Sequence, residues 1–125
     1  MKKLLTNQEI YEYTFGLKNA FSSTVMELPI LINYSIQKNL HTLTKFAQTI
    51  EQLRNSIGEK YGAYNAELNS FKILPENMEQ AKTDLKKLME IEEKVEIRTI
   101  KLEDLKDIKL TNQQMAALLF MIEEE

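Results

Sequence analysis

Apolar residues recur in steps of three and four between Pro29 and Tyr61, and this run dominates the pattern of the chain. The spacing predicts one long amphipathic helix over 29–61, with a narrow apolar seam of the coiled-coil type. Pro29 suits a first helical turn, and Tyr61-Gly62 predicts a helix end with the glycine in a left-handed conformation. The seam is formed by Ile36, Leu40, Leu43, Ala47, Ile50, Arg54 and Ile57.

Two motifs of nearly identical sequence predict the starts of two shorter helices. In the first, Thr6 and Glu9 have the spacing of a capping box, in which each side chain bonds to the backbone N–H of the other residue. Thr111 and Gln114 repeat this arrangement near the end of the chain. The two boxes predict a helix over 7–21 and a helix over 112–123.

The segment between these elements predicts a third helix and two strands. Pro75 opens a helix over 75–91, which is the natural antiparallel partner of the long helix. Alternation predicts a short strand at 70–74 and a better strand at 94–102, with a bend or bulge near 98–99 where the apolar phase slips. Because an isolated strand is unstable, the second strand is expected to pair with 70–74 or with a strand of another subunit.

These elements predict a mainly α fold with a minor β part, in a single domain over 1–125. The architecture is a long helical hairpin with short flanking helices and a small antiparallel β element. The long helix would span about 50 Å, which exceeds the width of a domain of this length. Part of the helix must therefore project, or be covered by another copy of the chain, and because an exposed apolar seam is unfavourable in a monomer we expect a homo-oligomer.

Composition narrows the class of function. Hydrophobic residues make up 43% of the chain and charged residues 28%, as in a globular protein, and the net charge of -3 argues against general nucleic-acid binding. Cysteine is absent, which fits an intracellular setting. The apolar start is too short for a signal sequence and no segment has membrane length, so we expect a cytoplasmic protein without a membrane partner.

No motif for catalysis, metal binding or cofactor binding is found in the sequence. His41 is the only histidine, and it has neither an orienting acid nor a second metal ligand at helical spacing. The acidic run within 90–96 fits a solvated face, since no calcium-loop pattern accompanies it. We expect no enzymatic activity, no catalytic residues, no metal and no cofactor.

A polar surface near the start of the long helix is the best candidate for a binding site. An aromatic ring, amides and a cation within two turns suit the stacking of a base and the binding of a phosphate, and an arginine from the bent strand adds a planar, bidentate donor. The alternative is that the tyrosine covers the first helix while the polar side chains are merely hydrated. The candidate residues are Asn33, Tyr34, Lys38, Asn39, His41 and Arg98.

Arg54 stands where the seam requires an apolar residue. One interpretation pairs it with a carboxylate of the third helix, Glu79 or Asp84, and another lets it set the register of a dimer. A third lets its apolar stem lie along the seam while the guanidinium reaches solvent.

Several segments resemble a group of small, largely uncharacterised proteins encoded by phages and prophages of Gram-positive bacteria. The segments are Leu28-Pro29-Ile30, Tyr34 to Leu40, Lys60-Tyr61-Gly62, Glu96 to Ile100 and Leu118 to Glu123. The resemblance implies a phage setting and hence the cytoplasm of a host cell.

Two functional hypotheses follow. The first is a non-enzymatic accessory protein that binds and sequesters or blocks a host component in counter-defence, where the component is a host protein or a small nucleotide signal. The alternative is a structural or assembly protein of the virion, scaffold-like or chaperone-like, that works through helix-mediated oligomerisation.

Overall fold

The computed structural model describes residues 1–21 and 28–123, and the fold is mainly α with a minor antiparallel β part, as predicted. The helices are α1 (Asn7–Phe21), α2 (Ile30–Tyr61), α3 (Met78–Glu90) and α4 (Asn112–Leu118). The strands are β1 (Lys2–Thr6), β2 (Gly62–Asn65), β3 (Ser70–Ile73) and β4 (Glu92–Glu96). Short 3-10 turns lie at Pro75–Asn77, Leu102–Leu105 and Leu119–Met121.

The long helix α2 packs against both α1 and α3. The predicted partner α3 runs back along it: Asn77 donates to the carbonyl of Tyr61 over 3.1 Å, and the Tyr61 hydroxyl donates to Asp84 over 2.6 Å. On α1, the Tyr11 hydroxyl approaches Glu51 of α2 at 3.4 Å. The hairpin predicted from the sequence is therefore part of a group of three packed helices.

The seam of α2 is covered by its own chain. Ile36, Leu43 and Ile50 are all buried in the core, while Leu40 and Ile57 pack partly buried against it. The inference that the seam requires a second copy of the chain is therefore wrong for these positions. Farther along, residues 51 to 56 are exposed, although Glu51 and Arg54 still contact Tyr11 of α1.

A strand that the sequence did not predict is the partner of β4. β1 pairs with β4 antiparallel, with Lys2 opposite Glu96 and Thr6 opposite Glu92. The expected pairing with the 70–74 segment or with another subunit is thus wrong. β4 is also shorter than the predicted strand over 94–102, because its ladder with β1 reaches only from residue 92 to 96.

The predicted bend after β4 is present. Ile97 and Ile100 are both buried although they lie three residues apart, an odd spacing that a regular strand cannot place on one face. The chain turns between them, and Ile100 then forms an isolated parallel bridge with Ile122. The chain therefore leaves β1 at the end of β4 and has no strand partner again until Ile100 meets Ile122.

A β-hairpin formed by β2 and β3 follows directly on α2 and includes the strand predicted at 70–74. Gly62 opens it in an extended conformation (φ -122°, ψ 178°), so the predicted left-handed glycine is wrong. Glycine is needed there for space, because a Cβ would lie 2.6 Å from the Gly58 carbonyl oxygen and 2.7 Å from that of Lys72. The left-handed residue is Asn69, in the turn (φ 48°).

Both capping boxes are formed. The Thr6 hydroxyl accepts from the Glu9 N–H over 3.1 Å while the Glu9 carboxylate accepts from the Thr6 N–H over 3.0 Å. Thr111 and Gln114 make the same reciprocal pair over 3.1 and 3.0 Å. The last helix is shorter than predicted, since its residues after Leu118 form a 3-10 turn instead.

Candidate functional site

Arg98 lies at the bend after β4 and packs on the start of α2. Its guanidinium carbon lies 4.9 Å from the centre of the Tyr34 ring, within cation–π distance. Its Nε donates to the Ser35 hydroxyl over 3.2 Å. Two neighbouring residues of one helical turn thus contact the guanidinium, Tyr34 through its ring and Ser35 through its hydroxyl.

Asn39 secures the backbone beneath this arginine. Its Nδ2 donates to the carbonyl of Arg98 and its Oδ1 accepts from the N–H of Arg98, each over 2.8 Å. The Asn39 amide also approaches the sulfur of Met121 at 3.5 Å. At 1% exposure Asn39 is not open to a ligand. We therefore treat it as a positioning residue, because its side chain takes the place of a strand partner at the bend.

Helical spacing explains why the sequence folds in this way. Ser35, Asn39 and Leu43 are four residues apart in turn, so they follow one line along α2, and all three are buried. The polar pair at the start of this line meets the bend, where the backbone of Arg98 has no strand beside it. The buried amide compensates for backbone groups that would otherwise lack hydrogen bonds.

Free cationic donors remain on the outer side of this cluster. The two Nη groups of Arg98 make no hydrogen bond and no ion pair with any described residue, and Lys38, also exposed, makes none either. Lys38 follows Tyr34 by one helical turn on the same face. Tyr34 itself is 50% exposed, so part of its ring remains open to solvent.

Two of the predicted site residues stand apart from this cluster. Asn33 is two positions before Ser35, which turns it by about 200° around the helix axis. Its Oδ1 is buried without a hydrogen-bond partner among the described residues. His41 is exposed and lies two turns along from Tyr34. We define the site as Tyr34, Ser35, Lys38 and Arg98, supported by Asn39.

Ser35 is the member of this site that the sequence interpretation missed. The signal was present, because a serine and an asparagine four residues apart continue the buried line of α2. A polar pair in a buried line indicates a polar partner from another element.

Arg54 does not pair with α3 as one interpretation predicted. Its guanidinium carbon lies 5.0 Å from the centre of the Tyr11 ring, on the side of α2 that faces α1. Its Nη1 lies 3.9 Å from Oε2 of Glu51. The Asp84 carboxylate instead accepts a hydrogen bond from the Tyr61 hydroxyl and lies 3.9 Å from the Lys60 ammonium. Arg54 is exposed, and its guanidinium contacts Tyr11 rather than a carboxylate of α3.

No group of three or more His, Asp or Glu side chains in residues 1–21 and 28–123 is placed to hold a metal ion. Over the same residues, no helix has the length and apolarity needed to cross a bilayer.

Comparison of the chain with protein-family models, with characterised proteins and with solved structures gives no match.

Proposed function

We propose that this chain is a non-enzymatic binding protein that holds a phosphate-bearing nucleotide at Tyr34, Lys38 and Arg98. The observation that carries the proposal is the position of the Arg98 guanidinium, whose Nε bonds to Ser35 and whose carbon lies over the ring of Tyr34. An arginine held in this way has little rotamer freedom left to lose when it binds an anion. Its two Nη groups match the oxygens of a phosphate.

Nucleotides fit this arrangement better than a bare anion does. The part of the Tyr34 ring that remains open offers a surface on which a base can stack, and Lys38 adds a second positive charge one turn away. Stacking and phosphate binding then come from opposite ends of one ligand. Asn39 contributes indirectly, because it fixes the backbone from which Arg98 projects.

In the phage setting that the resemblance implies, such a protein sequesters a nucleotide signal of the host and so acts in counter-defence. A protein that only sequesters needs affinity and no catalytic group, which agrees with a site formed by an arginine, a lysine, a tyrosine and a serine. The corresponding location is the cytoplasm of the host cell.

Titration calorimetry with pyrophosphate, mononucleotides and cyclic dinucleotides tests this proposal. We expect a nucleotide to bind the wild-type protein, and Lys38→Ala to weaken the binding several-fold. Lys45→Ala is the matched control, since it removes an exposed lysine from the same helix about two turns away and is expected to leave the affinity unchanged. Failure of every nucleotide to bind the wild type would refute the proposed function.

The second candidate, a structural or assembly role in the virion, is favoured by the β2–β3 hairpin. This hairpin follows the end of α2 and carries an exposed aromatic pair, Tyr64 and Phe71, with ring centres 5.6 Å apart. Exposed aromatic side chains of this kind are typical of protein contacts. Copurification with phage particles that is lost in a Phe71→Ser variant would support this role, and its absence would argue against it.

A further inference from the structure

A cavity at the end of α3 carries a second inference, independent of the nucleotide site. It has a volume of about 450 Å³, within the range of small-molecule sites, and lies between α2, the start of α1 and the segment that joins α3 to β4. None of Tyr34, Lys38 and Arg98 contributes to its lining, so the two proposals can fail independently. The apolar lining residues are Phe46, Ile50, Leu53, Leu88 and Ile91.

The two ends of this cavity differ in polarity. The chain from α3 to the bend after β4 runs along α2 in the opposite direction, because its hydrogen bonds with α2 pass from Tyr61 to Asn39. Glu93 therefore lies toward Lys45, whereas Leu53 stands about 12 Å farther along the axis of α2. One end of the cavity is charged and the other end is apolar.

The charged end combines an ammonium group and a carboxylate that form no ion pair with each other. Lys45 is exposed and Glu93 is partly buried, and neither forms an ion pair with any residue in 1–21 or 28–123. Each side chain is therefore free to pair with a ligand. A head group that carries both a positive and a negative charge complements this end of the cavity.

Asn7 adds a buried hydrogen-bond acceptor. Its Nδ2 donates to the carbonyl of Leu88 and its backbone N–H donates to the carbonyl of Ile91, each over 2.8 Å. Its Oδ1 accepts no hydrogen bond from the part of the chain that the structure describes, although Asn7 is only 6% exposed. That oxygen is not enclosed by protein, since Asn33 is the only described residue with an enclosed side-chain polar atom that lacks a partner. It therefore opens into the cavity that Asn7 lines, where an N–H group of a ligand can reach it.

We propose that this cavity binds a free α-amino acid with a large apolar side chain, such as phenylalanine. The ammonium group of the ligand bonds to the carboxylate of Glu93 and to Oδ1 of Asn7, and its carboxylate bonds to Lys45. Its side chain packs on the apolar wall toward Leu53. A fatty acid would instead bring a carboxylate beside Glu93, and an alkylamine would leave Lys45 without a partner. A zwitterionic head group is therefore the one that uses all three polar groups.

NMR chemical-shift titration tests this proposal. Phenylalanine is expected to bind the wild type saturably and to shift the amide signals of the residues that line the cavity. Three analogues each remove one part of the ligand: phenylpropionate lacks the ammonium group, phenylalaninamide lacks the carboxylate, and alanine lacks the ring. Each analogue should bind at least about tenfold more weakly than phenylalanine. A wild type that does not bind phenylalanine, or that binds phenylpropionate as tightly, would overturn the proposal.

Substitutions at the charged end test the two halves of the head group separately. Glu93→Gln should weaken the binding of phenylalanine at least about tenfold but not that of phenylpropionate, and Lys45→Ala should weaken the binding of phenylalanine but not that of phenylalaninamide. Glu92→Gln is the matched control, because alternation along β4 turns Glu92 to the other face and it does not line the cavity. This control should bind phenylalanine like the wild type. Equal losses in Glu92→Gln and Glu93→Gln, or full affinity in Lys45→Ala, would contradict the proposed contacts of the head group.

Discussion

Asn39 and Arg98, fifty-nine residues apart in sequence, are joined by two hydrogen bonds of 2.8 Å between the side-chain amide of one and the backbone of the other. An amide carries one donor and one acceptor with the spacing of a peptide group, so it can replace a neighbouring strand. The bend after β4 depends on this replacement. The direction in which Arg98 projects depends on it as well.

Replacement of Asn39 should therefore destabilise the protein. Asn39→Ala leaves the N–H and the carbonyl of Arg98 without partners, at an expected cost of about 2–3 kcal/mol in the free energy of unfolding. Urea denaturation, followed by circular dichroism, measures this change in the free energy of unfolding. The control is Asn55→Ala, an exposed position on the same helix, where a change within about 0.5 kcal/mol is expected. Equal effects of the two substitutions would show that the amide of Asn39 does not support the bend.

The start of the β2–β3 hairpin should tolerate only glycine. In Gly62→Ala the new methyl group meets two carbonyl oxygens at 2.6 and 2.7 Å, so the end of α2 and the hairpin must move apart. We expect a loss of stability of about 1–3 kcal/mol and faster amide hydrogen exchange in β2 and β3.

Gly16→Ala is the matched control for this substitution. The nearest atom to its new methyl group is the Ala117 Cβ at 3.9 Å, an ordinary contact. Because alanine has a higher helix propensity than glycine, the free energy of unfolding should rise by up to about 1 kcal/mol. A Gly62→Ala protein as stable as the wild type would contradict the proposed steric requirement.

Ionisation of Tyr13 should lower the free energy of unfolding at alkaline pH. Its ring stacks on Phe120, with centres 4.4 Å apart, and its hydroxyl faces Glu9. Burial, and then the negative charge of Glu9, raise the pKa of Tyr13 above its ordinary value of 10.0. Above that value the unfolded chain loses the proton while the folded protein still holds it. The stabilisation is thus complete below pH 10 and is lost as the pH rises through the folded pKa.

Urea unfolding from pH 8 to 11 tests this dependence, with Tyr13→Phe as the comparison, since phenylalanine keeps the ring but cannot ionise. The pKa of Lys60 is also raised, through its hydrogen bond with Tyr61 and then the nearby charges, and it contributes a loss in the same direction. The contribution of Tyr13 is therefore the difference between the two proteins. If wild type and Tyr13→Phe lose stability in parallel, Tyr13 is not responsible.

The helices could be predicted because each is specified locally. The capping boxes at Thr6 and Thr111 require residues only three positions away, and the seam of α2 repeats over many turns. β1 could not be predicted in the same way. It is five residues long, Lys2 and Lys3 obscure its alternation, and its partner lies about ninety residues along the chain.

The same distinction between local signals and distant partners applies to the residues of the candidate site. Tyr34 and Lys38 share one face of a predicted helix, so sequence spacing alone groups them. The contact of Arg98 with Tyr34 depends on where the bend after β4 meets α2, which sequence spacing does not specify. The sequence places Asn39 on the ligand-binding surface, whereas its buried amide bonds to the backbone of Arg98. A buried polar residue can be recognised only when its tertiary partner is known.

The affinity of the Arg98 variants for the bound nucleotide tests the central claim most directly. Arg98→Lys keeps the positive charge but loses the planar group that rests on Tyr34 and the Nε that bonds to Ser35. In calorimetry at physiological salt we predict that Arg98→Lys binds at least about tenfold more weakly than the wild type, nearly as weakly as Arg98→Ala. Wild-type affinity in Arg98→Lys would contradict the account, because charge alone would then explain the binding.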